Sequence, residues 1–216
     1  MPEQALRSDP REDAPYPGAI DAIRTRRSGH NFDPDADVDP ETLREIVRDA
    51  TLAPSAFNLQ PWEFVAVRDD DRINDLVTIA NGQEHLRDAG TAVVVAGHTT
   101  RARTAERVYH EWADAGRITR ADAERRVESV DPDATDREYA IRNASLALQN
   151  LLLGAHARGL TALPMGGADF DALADFVALP DDVVPVALVA VGPSGGDEPE
   201  RLPRRSVDDV LHDETF

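Results

Sequence analysis

The chain has 216 residues, 41% of them hydrophobic, enough for one large domain or two small ones with a real core. Its 41 acidic against 23 basic residues give a formal net charge of −18, which disfavours nucleic-acid binding, and no apolar run approaches the roughly 20 residues that span a bilayer. With no cysteine, disulfides and thiolate metal sites are excluded, and a reducing cytoplasm fits.

Every basic residue is arginine, and aspartate outnumbers glutamate. Self-repulsion at this charge destabilises a compact state at low ionic strength. Molar salt shortens the Debye length to about 3 Å and removes most of that penalty. The acidic residues run along the whole chain rather than in one tail, which points to a halophilic source. The other reading is an acidic protein that repels nucleic acid or binds cations.

Residues 1–18 lack a basic segment followed by an apolar one, so they are no secretory signal and read as an arm before a single domain over 19–216. Residues 19–27 carry Ile20 and Ile23 at helical spacing and end in the polar run RRSGHNF. A second helix follows, capped by Asp39 with Pro40 in its first turn and Leu43, Ile46, Val47 and Ala50 on one face. Pro54 ends it. The loop PSAFNLQP leads into the strand EFVAVRD, and the acidic turn at Asp69 opens a short helix with Ile73, Leu76, Val77 and Ala80 inward. The apolar run TAVVVAGH at 91–98 is a strand covered on both faces.

Residues 101–135 form two polar helical stretches parted by Gly116, the expected helical lid. Residues 140–160 form the most hydrophobic helix, apolar on most sides and therefore central, ended by Gly159. A short strand turning at LPMGG, the helix DFDALADFVAL and the buried strand VVPVALVAVG complete the domain before an arginine-rich tail. The expected fold is α+β, a central mostly antiparallel sheet of about four or five strands wrapped by helices.

No phosphate loop, dinucleotide fingerprint or nucleophile elbow occurs. His30, His85, His98, His110, His156 and His212 lack zinc-ligand spacing, so no metal is expected. An organic cofactor then carries any chemistry.

Four pieces suit one flat, phosphorylated ligand, and each has a plainer reading. Arg26, Arg27 and Ser28 offer paired donors and a hydroxyl to a phosphate and a sugar chain, or else end a helix against its macrodipole. In the loop, Pro54 and Pro61 give rigidity while Ser55, Asn58 and Gln60 offer amides and a hydroxyl matching a uracil-like edge, or else satisfy their own turn. Pro164, Met165, Gly166 and Gly167 allow close backbone approach, or make an ordinary turn. Arg201, Arg204 and Arg205 meet an anion, or offset Asp208 and Asp209 in a solvated tail.

Together these pieces resemble the nitroreductase family of flavoproteins. RRSGHNF resembles its RRSxRxF signature, APSAFNLQPWEFVAV its APSxxNxQPWxF signature, and LPMGG with the following helix and strand its glycine turn, over roughly residues 20–212. RLPRRSVDDVL is similar to its closing basic segment. The resemblance implies a homodimer with FMN at the interface and NADH or NADPH as co-substrate. Electrons would pass in ping-pong fashion to a nitroaromatic, quinone or similar small acceptor, with no catalytic side chain.

By the same resemblance, Arg26, Arg27 and Ser28 hold the phosphate and ribityl chain. Arg204, with Arg205 or Arg201, completes the phosphate contact, and Gln83 touches the ribityl chain. His30 stands where the family usually has Arg or Lys, a departure. Pro54, Ser55, Ala56, Asn58 and Gln60 serve the partner's flavin, whereas Gly166 and Gly167 approach the N5 and O4 edge of the chain's own flavin, with Pro164 beside them. Phe57 faces substrate, whereas Tyr109 and Trp112 either stack on it or belong to the apolar face of their helix. Flavin-derived benzimidazole synthesis, reductive dehalogenation and a non-enzymatic flavin-binding module are the alternatives that share the fold.

Overall fold

A computed structural model describes residues 18–197 and 200–216. Residues 1–17, which carry almost all of the expected N-terminal arm, lie outside the described residues. Among the described residues eight α-helices and four strands follow in the order α1 (Ala19–Thr25), α2 (Pro40–Ala50), β1 (Trp62–Val67), α3 (Asp70–Ile79), α4 (His85–Ala89), β2 (Thr91–His98), α5 (Ala102–Asp114), α6 (Arg120–Glu128), α7 (Arg137–Ala157), β3 (Leu160–Met165), α8 (Phe170–Phe176) and β4 (Val183–Pro193).

The helix starts follow capping chemistry. Asp39 accepts the Thr42 amide at 2.9 Å and Pro40 sits at the first helical position. Asp69, Asp136 and Asp169 cap α3, α7 and α8 in the same way. Thr119 and Asp122 form a reciprocal capping box on α6. Gly116, between the two polar helices, has φ +68°.

The sheet has the order β1-β2-β4-β3, and every pairing is antiparallel. Four strands therefore form it, with a bulge in β2 between Val95 and Ala96. Side chains alternate between the two faces. Val93, Val95, Val189 and Val191 pack with Ile46 of α2 and Leu151 of α7. Ala92, Val94, Leu188 and Ala190 pack with Leu76 of α3, Leu86 of α4 and Leu173 of α8 on the other side. All eight residues of β2 are buried, as expected of a central strand covered on both faces.

A third, smaller cluster joins Leu59, Val108, Tyr109, Ala123 and Tyr139 beneath α5 and α6. Tyr109 is thus a core residue, its ring edge-on to Trp112 at 5.7 Å. The helical-face reading of these aromatics is the one the packing supports. The expected turn at Pro164 is corrected: Pro164 and Met165 lie inside β3, paired with Val189 and Leu188. β3 is an edge strand, where a proline is tolerated. No helix among the described residues is long and apolar enough to cross a membrane.

Candidate cofactor and substrate site

The first half of the site is built around α1 and its exit. Arg26, Arg27, Ser28, His30, Arg201 and Arg204 line one cavity of about 280 Å³, with Glu200 as the acid beside them. Arg27 donates through Nη1 to the carbonyls of Arg24, Thr25 and Arg26, satisfying the end of α1. Arg201 reaches across the chain to donate to the carbonyls of Arg24 and Arg26 at 2.8 and 2.7 Å. Arg26 differs from both. Its Nη1 is buried with no hydrogen-bond partner. Burial, then Arg201, Arg204 and Arg27, push its pKa below the usual arginine value. A buried donor amid like charges is costly until an anion joins it.

Arg205 does not join this group. Its guanidinium donates to the Asp209 carbonyl in the C-terminal turn, and Arg201 occupies the cavity instead. Arg204 lines the cavity while donating to the Leu202 carbonyl at 2.9 Å. His156, from the end of α7, supports the segment from below. The Thr25 hydroxyl donates to the Asp21 carbonyl at 2.6 Å, so at 2.8 Å it accepts from His156 Nε2. Burial, with Arg26 and Arg27 nearby, holds the His156 pKa below its usual value, so the ring stays neutral and adds no further positive charge.

From this cavity a ledge continues to the glycine turn. The His30 ring meets that of His85, at the start of α4, with centroids 4.9 Å apart. Two residues earlier is Gln83, whose Nε2 would lie 3.9 Å from a Cβ at Gly167. The Asn81 side chain donates to the Gly167 carbonyl, and the Asp169 amide donates to the Ile79 carbonyl at 2.9 Å, fastening the turn to the end of α3. A Cβ on Gly166 would meet no protein atom within 4 Å, and Gly166 lacks the positive φ that demands glycine. Nothing in the chain itself requires glycine there, whereas a flat ligand lying against the backbone would. The orphaned Arg26 nitrogen and this open backbone ledge fit a phosphorylated, planar cofactor.

The second half is the loop before β1. Phe57, Asn58 and Gln60 have φ of 54°, 53° and 50°, three left-handed non-glycine residues around a right-handed Leu59. Such residues cost on the order of 1–3 kcal/mol each and persist where surroundings over-determine them. Here the surroundings do. The Gln60 amide donates to Ser55 Oγ at 2.9 Å and the Ala56 amide to Asn143 Oδ1 at 2.8 Å. Leu59 is fully buried, and the His98 amide donates to the Pro61 carbonyl at 2.8 Å. With its ends held, the loop presents Phe57, a large apolar side chain 52% exposed. The self-satisfying-turn reading holds for Ser55 and in part for Gln60, whose Nε2 donates to the Asn58 carbonyl at 3.3 Å.

The two halves are anchored at opposite ends of α7. Asn143 holds the loop near the start of α7, and His156 holds Thr25 near its end. Thirteen residues of helix separate these anchors by about 20 Å. Exposed Ile141 and Leu146 lie on α7, exposed Ile20 and Ile23 on α1, and the tail residues Leu202, Val207, Val210 and Leu211 are exposed as well.

Several partners were not legible in the sequence. His85 lies far from His30 in the chain, and Arg101 and Arg126 come to Phe57 only through packing. Asn143 carried one signal, an amide among the inward residues of the most apolar helix. A cavity of about 540 Å³ between α2 and β1 holds Arg44, Arg48 and Phe64 but none of the polar residues of the signatures. No cluster of possible metal ligands occurs among the described residues.

Comparison with known proteins gives one family. Residues 23–193 match the nitroreductase family. YodC of Bacillus subtilis, named as an NAD(P)H nitroreductase, is 29% identical over 177 residues, covering 80% of this chain and 88% of its own. A B. subtilis protein described as the nitroreductase ydfN superposes with a TM-score of 0.82 at 27% identity, covering 89% of this chain and 97% of its own. A protein from Exiguobacterium sibiricum, described as a nitroreductase and solved in complex with FMN, has a TM-score of 0.77 at 25% identity, over 92% of this chain and 98% of its own.

Proposed function

Because the chain belongs to the nitroreductase family, we propose that it is an FMN-dependent NAD(P)H oxidoreductase that works as a homodimer on small nitroaromatic, quinone or similar acceptors. The observation that carries the cofactor is the buried, partnerless Nη1 of Arg26 in a cavity of four arginines. A relative solved with FMN and another named for NAD(P)H support the same reading.

Bound there, FMN supplies the acceptance and donation of a hydride. The chain does the rest. Arg26 and Arg204 hold the phosphate, with Arg27 and Arg201 fixing the backbone beneath it. Ser28 meets the sugar chain beside them, and Gln83 lies on the ledge toward the ring. Gly166 and Gly167 admit the ring against the main chain, where backbone amides serve as fixed donors. No side-chain acid or base is invoked.

The distance of about 20 Å between the anchors of the two halves along α7 supports the homodimer reading. Pro54, Ser55, Ala56, Asn58 and Gln60 of one chain would then meet the flavin held by Arg26 of its partner. The acidic, lysine-free composition supports a salt-rich working environment.

The test is purification in high salt followed by denaturation and chromatography. Release of FMN, and oxidation of NADH or NADPH when menadione is added, are expected. An Arg26→Met chain should lose FMN at concentrations where the Arg27→Met chain still binds it. Recovery of FAD, or a colourless protein indifferent to added FMN, would count against the proposal.

A further inference from the structure

Beside the Phe57 tip of the loop lies a cavity of about 410 Å³ between the loop, β2's exit and the lid helices. Two of its lining residues are arginines from distant segments, Arg101 before α5 and Arg126 in α6. Each guanidinium lies over an aromatic ring, Arg126 5.7 Å from the centroid of Tyr109 and Arg101 5.0 Å from that of Tyr139. Stacking of this kind orients the planar fork while leaving its N–H edge free for an anion.

The acids of the cavity do not use up that edge. Asp131 accepts the Asp133 amide at 2.9 Å. Asp136 caps α7 by accepting the Tyr139 amide at 2.8 Å, and its other oxygen is 3.9 Å from Arg101, too long for a hydrogen bond. No ion pair of Arg126 occurs among the described residues, although the chain has 41 acids for 23 arginines. An arginine left without a carboxylate on so acidic a surface, next to exposed Phe57, is placed to receive an anion from outside.

We infer that Arg126, assisted by Arg101, selects acceptors that carry a carboxylate on a flat ring, the ring resting against Phe57 and the carboxylate taken by the guanidinium fork. This rests on reading the Pro54–Gln60 loop as part of the flavin site. The net charge of −18 repels anions at long range. Molar salt cuts that repulsion to about 3 Å, within which direct guanidinium contacts still act. A phosphate on the nicotinamide donor has related chemistry, and the experiment separates the two.

The probes are 4-nitrobenzoate and its methyl ester, at one fixed KCl concentration. Calorimetry with the purified protein reads binding without turnover, and kcat/KM with saturating NADPH reads selection. The wild type should favour the carboxylate by about tenfold or more, the scale of a charge-assisted contact. Arg126→Met should bring the ratio near one, Arg126→Lys should restore part of it, and Arg101→Met should reduce it by less. A wild-type ratio near one overturns the inference, and so does an unchanged ratio in Arg126→Met or an equal fall for both probes. A change confined to the KM for NADPH, with that for NADH unmoved, would assign the arginines to the donor's phosphate instead. Calorimetric preference for the carboxylate in a protein that fails to reduce either probe would uphold the subsite while refuting the oxidoreductase reading.

Discussion

Asn143 Oδ1 accepts the Ala56 amide at 2.8 Å while its Nδ2 donates to the Tyr139 carbonyl at 2.7 Å. One buried amide thus ties the strained loop to the central helix. Asn143→Ala leaves the Ala56 N–H without a partner, a loss of about 1–3 kcal/mol. At this chain length each kcal/mol moves Tm by about 2–4 °C. Melting should fall accordingly, and FMN affinity should fall with it because the loop loses its anchor. A melt shifted by less than a degree would show that the loop is held by its own turn.

Gly166 is expected to separate folding from cofactor binding. A methyl there meets no protein atom within 4 Å, and Gly→Ala in a tolerated conformation changes stability by only about 0.4–1 kcal/mol, in the stabilising direction. The flavin-free Gly166→Ala protein should therefore melt at or slightly above the parent, whereas FMN titration should show binding weakened by an order of magnitude. Equal FMN affinity in both proteins would remove the ledge from the site.

The shared site can be tested by complementation. Arg26→Ala/Arg27→Ala chains refolded together with Asn58→Ala/Gln60→Ala chains should yield heterodimers with one intact site. Activity should rise above either parent alone. Failure to exceed the parents would assign both halves to one chain, against the separation of about 20 Å along α7.

Tyr139 is 2% exposed, and its hydroxyl is buried without a partner. Burial pushes its pKa up to about 12, with Arg101 opposing the shift. The folded value lies above the unfolded value of about 10, so the stability tied to this proton is fully present below pH 10. It is lost as pH rises through 10 toward 12. Tyr139→Phe removes an unsatisfied polar group, and it should leave Tm at neutral pH unchanged or higher. The variant should also lose less stability between pH 10 and 12, read by chemical denaturation at each pH. An equal alkaline loss in both proteins would falsify this assignment.

Salt should control the whole assembly. At about 0.1 M the Debye length is about 10 Å, so neighbouring carboxylates repel across the surface, and a stability margin of about 5–15 kcal/mol is within reach of that repulsion. FMN, dimer and activity should be lost below roughly 0.5 M KCl, more slowly with excess FMN present. Thermal melts and NADPH oxidation across a KCl series decide it. Flat profiles from about 0.1 to 3 M would remove the halophilic reading of the composition.

What the sequence determined by itself was local and periodic. The continuous apolar run TAVVVAGH marked β2, and the capping Asp39 marked the start of α2, because local apolar runs and capping depend on neighbours within a few residues. The spaced signatures named the family for the same reason, since each is a contiguous string. The tertiary structure decided which donors remain free. Arg26 and Arg27 are adjacent in sequence, yet Arg27 closes α1 while Arg26 keeps a buried nitrogen without a partner. Arg201 rather than Arg205 enters the cavity because it reaches carbonyls 175 and 177 positions away. Likewise, Phe57, Arg101 and Arg126 meet only because α5 and α6 fold over the loop on a core of Leu59, Val108 and Tyr109. Partnerships across such separations are set by packing, and no local pattern encodes them.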